Sequence, residues 1–302
     1  MLGFGLMLES VLRKMVSVAA VFIGLGYVLP SIATVIMLNY FSSQYPIESV
    51  ENIYWVSGII IFIIASILLI AVGVFIVFGG LQYFVGTFSQ KLMFVGIMLS
   101  SFYLLCLGTG SALVLQEVNL LTLLLVATAI LVVASATVYM VPSFRLKFVA
   151  CLLGIVSGIC LTTATLNSPI LDLVFDWNVP FPGPFMSMAI LEGLTIILAS
   201  ITALFYSISG NGEKPIIHVF LSMVSLIYGI GVFVGSLVLS LNFLNLVWKA
   251  PWELALHGQP DWVLSTVIFW AASLGMLAIG GIILVLCACV GFVLATKHFS
   301  EL

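Results

Sequence analysis

One acidic side chain lies inside an otherwise apolar stretch, and it is the first residue to consider for chemistry. Glu192 occupies the middle of MAILEGLTIIL (188–198), and Thr195 comes three residues later on the same predicted helical face. A carboxylate at such depth costs on the order of 3 kcal/mol on insertion scales. We expect Glu192 to be protonated or hydrogen-bonded. Its functional interpretation is an ion- or proton-handling group or a contact for a quinone-like head group. The structural interpretation is that Glu192 is a protonated, hydrogen-bonded residue packed within the bundle, or a contact to another subunit.

A second group of polar side chains lies in PWELALHG (251–258). Glu253 and His257 are four residues apart, so they would share one face of a helix, beside Trp252. Such a group could form half of a quinol-type site or a two-residue metal contact. A solvated loop with a local hydrogen bond is the alternative interpretation.

Histidine could also ligate a haem. His218 begins an apolar segment near the predicted inner boundary, where an interfacial role is typical. The alternative is a single haem held by His218 and a methionine. Three histidines in the whole chain are too few for a two-haem cytochrome core. No HExxH motif occurs, so we predict no metal site and no catalytic residue, and the sequence indicates no specific cofactor beyond the haem or quinone alternatives.

The elements that would position these residues can be derived from the composition. Charged residues make up 6% of the 302, hydrophobic residues 63%, and the mean hydropathy is +1.36. A soluble domain carries about 25% charged residues, so nineteen charges cannot build a water-facing surface. The predicted partner is the lipid bilayer, together with other membrane subunits, and we predict no nucleic-acid partner.

Eight apolar segments are long enough to cross a bilayer, which takes about 20 residues of helix. They cover approximately 15–42, 54–80, 92–115, 119–140, 148–167, 186–209, 216–243 and 263–296. The predicted fold is an all-α bundle of about eight transmembrane helices, with residues 1–302 as a single transmembrane domain and no soluble domain.

Lysine and arginine predict the orientation. If the N-terminus is cytoplasmic, seven of the eight basic residues lie inside and only Lys249 lies outside. Since basic residues concentrate in cytoplasmic loops, we predict that both termini are cytoplasmic, in a multi-pass protein of the plasma membrane.

Two predicted outer loops, 167–185 and 244–262, hold four of the six tryptophans. Tryptophan is typical of the membrane–water boundary. The alternative is that these aromatic loops fold back as a cap for a partner or an apolar ligand.

Two further patterns concern helix packing. Pro30 lies in the middle of the first segment and frees a backbone carbonyl, which a neighbouring hydroxyl can satisfy. Small residues at helix-contact spacing, Gly154 with Gly158 and Ser225 with Gly229, predict closely packed faces in the fifth and seventh segments.

Three classes of function remain open. The first is a non-catalytic membrane subunit of a larger complex, of a respiratory, quinol-linked electron-transport kind, with no catalytic activity of its own. The second is a secondary transporter or channel-like protein that uses Glu192. The third is a membrane subunit that binds a single haem or a quinone.

Overall fold

The structure is a computed structural model that describes residues 2–44, 50–87, 90–166, 183–209, 215–249 and 261–300. Within these ranges the chain forms eight α-helices and no β-strand. The prediction of an all-α protein is therefore confirmed.

The helices are numbered here in chain order. Their bounds are α1 Leu2–Gln44, α2 Val50–Val85, α3 Gln90–Leu115, α4 Leu120–Tyr139, α5 Phe144–Leu166, α6 Gly183–Ser209, α7 Pro215–Lys249 and α8 Asp261–Ser300.

Each predicted apolar segment coincides with one helix, but several helices are longer than their segments. The first predicted segment begins at residue 15, whereas α1 begins at Leu2, and α7 continues to Lys249 inside the predicted loop 244–262. A helix satisfies its own backbone hydrogen bonds in lipid and in water alike. It therefore has no need to end where its apolar sequence ends.

Seven of the helices are long and apolar enough to cross a membrane, as judged over the part of the chain that the structure describes. In α6 the described apolar stretch is shorter, Gly193–Phe205. Large apolar side chains also face outward: Ile60, Ile64 and Ile67 form a stripe along α2 and are each about half exposed. This is a multi-pass membrane protein whose outer surface suits contact with lipid.

The helices form a closed ring. Each helix packs against its neighbours in sequence, and α8 packs against α1. The contact between α6 and α7 is the sparsest of the eight. Gly86 and Gln116 follow the ends of α2 and α3 with positive φ angles of 82° and 52°. The order of contacts makes neighbouring helices antiparallel, as Gly24 with Gly73 and Ser17 with Gly80 show for α1 and α2. Alternate helix ends therefore lie on the same side of the ring.

Facing glycines bring three helix pairs into backbone contact. These pairs are Gly24 with Gly73 in α1 and α2, Gly158 with Gly193 in α5 and α6, and Gly229 with Gly281 in α7 and α8. A Cβ atom built on Gly73 would lie only 2.6 Å from the carbonyl oxygen of Gly24. In lipid, such close approach is a main source of helix association. The predicted packed faces of the fifth and seventh segments are confirmed for Gly158 and Gly229.

A hydrogen bond between α8 and α1 replaces the one that Pro30 cannot make within α1. Proline has no amide N–H to donate to the carbonyl of Gly26, four residues earlier. The hydroxyl of Ser273 in α8 donates to that carbonyl instead, at 2.7 Å. The neighbouring hydroxyls, which the sequence suggested for this role, bond elsewhere: Ser31 donates to the Tyr27 carbonyl and Thr34 to that of Pro30.

We predict that Ser273→Ala lowers the free energy of unfolding by about 1–3 kcal/mol, because the buried Gly26 carbonyl then has no donor. In a Pro30→Ala background, residue 30 supplies its own amide N–H, so the same substitution should cost only about 0.5 kcal/mol. Equilibrium unfolding of the four detergent-purified chains completes the double-mutant cycle.

The matched control is Ser157→Ala. Ser157 is fully buried and donates to the Gly154 carbonyl within its own helix, where a backbone amide can serve the same acceptor. Ser157→Ala should lower the free energy of unfolding by the same amount with and without Pro30. If Ser273→Ala were also equally costly in both backgrounds, its role at Pro30 would be refuted.

Candidate functional site

The ring of helices surrounds a partly open cavity of about 660 Å³. Helices α1 to α7 all contribute lining residues, whereas none of the described α8 residues does. The volume falls within the range of about 300–1,000 Å³ that is typical of small-molecule sites. This lumenal cavity is therefore the candidate site.

The cavity is long. Its lining residues on α2 run from Leu69 to Tyr83, which covers about 21 Å of the helix axis. On α1 they run from Val16 to Tyr27, which covers about 17 Å. A slot of this length suits an extended hydrocarbon chain.

The wall of the cavity is apolar in effect, although several of its residues carry hydroxyl groups. These residues are Tyr27, Tyr83, Ser100, Ser101, Tyr103, Thr195 and Tyr228. On α3, Ser100 donates to the Gly96 carbonyl at 3.0 Å and Ser101 to the Ile97 carbonyl at 2.9 Å. Because those hydroxyl protons are already used, this side of the cavity offers no strong donor to a guest. Its chemistry is that of a hydrocarbon slot.

Two tyrosines lie at one end of the slot. The hydroxyl oxygens of Tyr27 in α1 and Tyr228 in α7 lie 2.9 Å apart and share a hydrogen bond. Tyr228 also packs against the buried pair Val232 and Leu277. The tyrosine pair thus joins two helices that are separated in the ring by α8, which explains why α8 does not reach the cavity.

The opposite end of the slot carries a positive charge. Tyr83 lines the cavity, and the guanidinium of Arg13 lies over its ring, 5.9 Å from the centroid. The close approach of α1 and α2 one turn away sets this contact, since a Cβ atom on Gly80 would lie 2.9 Å from the Ser17 carbonyl oxygen. Gly86 completes the mouth, where its positive φ turns the chain beside the guanidinium.

Of the residues singled out from the sequence, Thr195 lines the cavity. Glu192 lies one turn before it in α6, but its side chain lies outside the described residues. His218 lies in the first turn of α7, is partly buried and is not a lining residue. Trp252, Glu253 and His257, and most of the loops 167–185 and 244–262, lie outside the described residues. The roles predicted for Glu192 and for the outer-face group therefore stay predictions.

The described lining of the cavity contains no His, Cys, Asp or Glu side chain, and the haem role predicted for His218, which lies outside this lining, stays a prediction. The described residues contain no group of three His, Cys, Asp or Glu side chains that could hold a metal ion. No described histidine, cysteine or methionine lines the cavity. A guest in this lumen must therefore be held mainly by apolar contact.

Sequence reasoning did not identify Arg13 and the lumenal tyrosines as site residues. Arg13 counted only toward the orientation of the chain. A usable signal was present, however. Tyr27, Tyr103 and Tyr228 lie well inside apolar segments, whereas tyrosine in membrane proteins is enriched at the segment ends. Tyrosines at such depth indicate an interior face.

No protein-family model, curated protein or solved structure matches this chain. The functional argument therefore rests on the cavity and on the residues that line it.

We predict that the tyrosine pair contributes a coupling free energy of about 0.5–1.5 kcal/mol to stability. The measurement is a double-mutant cycle with Tyr27→Phe and Tyr228→Phe, followed by thermal unfolding. The cycle isolates the shared bond because other contacts of each tyrosine cancel. Tyr27→Phe combined with Tyr139→Phe, at the far end of α4, should be additive. Additivity in the Tyr27–Tyr228 cycle would contradict the bond.

Proposed function

We propose that this protein binds an apolar, chain-bearing molecule in the lumen of its helix ring. The observation that carries the proposal is the slot of about 660 Å³, whose length covers about two-thirds of a hydrocarbon core about 30 Å thick. Of the three classes left open by the sequence, this one develops the quinone-binding alternative and broadens it to lipid-like molecules.

Burial of the guest provides the driving force. Each methylene that moves from water into an apolar site contributes about 0.8 kcal/mol. A guest that arrives from the bilayer gains less, because its tail already lies in hydrocarbon. Selection must then come from the width of the slot and from the few polar groups at its ends. The sparse contact between α6 and α7 flanks lining residues on both helices, Thr195 and Tyr228, which supports entry from the bilayer at that seam.

The other two classes remain predictions. A transporter needs a polar pathway, and Glu192, its predicted centre, has no described side chain. Membership of a larger assembly, of the respiratory kind, would place partner subunits against the exposed apolar faces that otherwise contact lipid. Mass spectrometry of the protein purified in mild detergent would identify such partners and any bound guest together.

The arrangement of charges supports the proposed orientation in the plasma membrane. Arg13 contacts the end of α2, and Lys147 lies 5.6 Å from the ring of Tyr139 at the junction of α4 and α5. In an antiparallel ring these ends lie on one side. Glu117, in the turn between α3 and α4, lies on the other. Basic residues on one side are expected to be cytoplasmic.

Narrowing the slot should weaken binding without damage to the fold. Gly96 lines the cavity, and a Cβ atom built on it meets nothing within 4 Å. We predict that Gly96→Leu reduces retention of a long-chain probe, tritiated hexadecanol, at least tenfold. The measurement is scintillation counting of the purified chain in lipid nanodiscs, with empty discs as background.

The matched control is Gly275→Leu. Gly275 is also helical, also has open space around its Cβ position, but is exposed and does not line the cavity. This variant should retain the probe as well as the unsubstituted chain does. Equal retention by both variants would place the probe outside the lumen and would refute the proposed function.

Orientation is tested by labelling in intact cells. A cysteine introduced at Glu117, which is exposed, should react with a membrane-impermeant maleimide added from outside. A cysteine at Pro142, exposed in the turn between α4 and α5, should react only after the membrane is opened. The unsubstituted chain, with its own cysteines inside helices, is the background. The reverse pattern would invert the proposed topology.

A further inference from the structure

We propose that the guest is a single-chain amphiphile with an anionic head group, of the long-chain carboxylate class, whose head binds Arg13 and whose tail occupies the slot. This inference rests on the proposed function and adds to it the charge and the orientation of the ligand.

The position of Arg13 is the first support. Its guanidinium lies over the ring of Tyr83, which is itself a lining residue, so the charge is placed at the end of the slot. No salt bridge to Arg13 occurs among the described side chains, Glu9 one turn away included. A cation whose charge is not neutralised by a neighbouring carboxylate, at the mouth of an apolar tube, is complementary to an anion that carries an apolar tail.

The contact with Tyr83 leaves Arg13 able to bind a head group. The Cζ atom of Arg13 lies 5.9 Å from the ring centroid of Tyr83, near the limit of about 6 Å for a cation–π contact. The guanidinium makes no hydrogen bond to a described residue. Its N–H donors are therefore available for a carboxylate, with which arginine forms paired, charge-assisted hydrogen bonds.

The slot determines the kind of tail that the head group can carry. Its length of about 21 Å along α2 suits one extended chain. The hydroxyls of Ser100 and Ser101 donate to carbonyls of their own helix and so present little polarity to that chain. The hydrogen-bonded pair of Tyr27 and Tyr228 lies at the far end of the slot. A chain that enters at Arg13 is thus stopped about 20 Å away.

Other head groups fit the mouth less well. A cationic amphiphile would meet the like charge of the Arg13 guanidinium at the mouth. A neutral head group gains no charge-assisted bond from the guanidinium. Adjacent helical residues do not face each other, so Lys14 carries the same charge on a different face. This makes Lys14 the natural control for Arg13.

The test compares tritiated palmitate with tritiated hexadecanol on the full chain in nanodiscs of neutral lipid. The pH is about 9, far above the ordinary carboxyl pKa of about 4.3. Gly96→Leu in the same discs defines the binding that does not use the lumen. We expect palmitate to bind about tenfold more tightly than hexadecanol. Arg13→Gln should remove this preference by weakening palmitate alone, whereas Lys14→Gln should change either affinity less than about twofold.

A second measurement does not depend on a substitution. In the unsubstituted chain, added salt should weaken palmitate binding, because an exposed ion pair is screened, and should leave hexadecanol unaffected. Equal affinities for the two ligands, or equal effects of Arg13→Gln and Lys14→Gln, would overturn the anionic head-group inference and leave the proposed function standing. Failure of both ligands to bind above the Gly96→Leu level would overturn both.

Discussion

One backbone carbonyl sets the main constraint on this fold. In lipid no water can donate a hydrogen bond to a backbone carbonyl that lacks a donor. Pro30 leaves the carbonyl of Gly26 without its donor within the helix. The buried hydroxyl of Ser273 donates a hydrogen bond to that carbonyl at 2.7 Å. Because that hydroxyl belongs to α8, the hydrogen bond is also part of the contact between the last helix and the first, which completes the ring. Helices α1 to α7 line the lumen of that ring.

The lumen results from two opposing features of the packing. Facing glycines draw helix pairs into backbone contact along the circumference, as Gly158 and Gly193 do for α5 and α6. In the interior, tyrosine side chains span the space that is left, and Tyr27 bonds to Tyr228 across it. Small residues lie at the helix contacts, and large residues span the interior of the ring. Together they leave a slot, rather than a filled core or an open channel.

Polarity in the slot is confined to its ends. The serine hydroxyls of α3 are paired with carbonyls of their own helix, so the wall between the ends is apolar. Arg13, held by Tyr83, places a charge where the slot begins. Under the proposed function, such a site would distinguish ligands by length and by head group, and it would need few charged residues, in keeping with their 6% share of the chain.

The sequence by itself determined the membrane environment, the number of helices and their approximate positions. Each of these depends on composition summed along a local segment, and apolar residues contribute to it wherever the chain folds. The sequence also marked Thr195, which lines the lumen. It did not determine that Gly26 would find its donor 247 residues away in Ser273, or that Arg13 would lie over Tyr83. Those pairings depend on which helices become neighbours and at what register. Only the closed ring decides them, because in lipid the apolar surface of one helix distinguishes poorly between its partners.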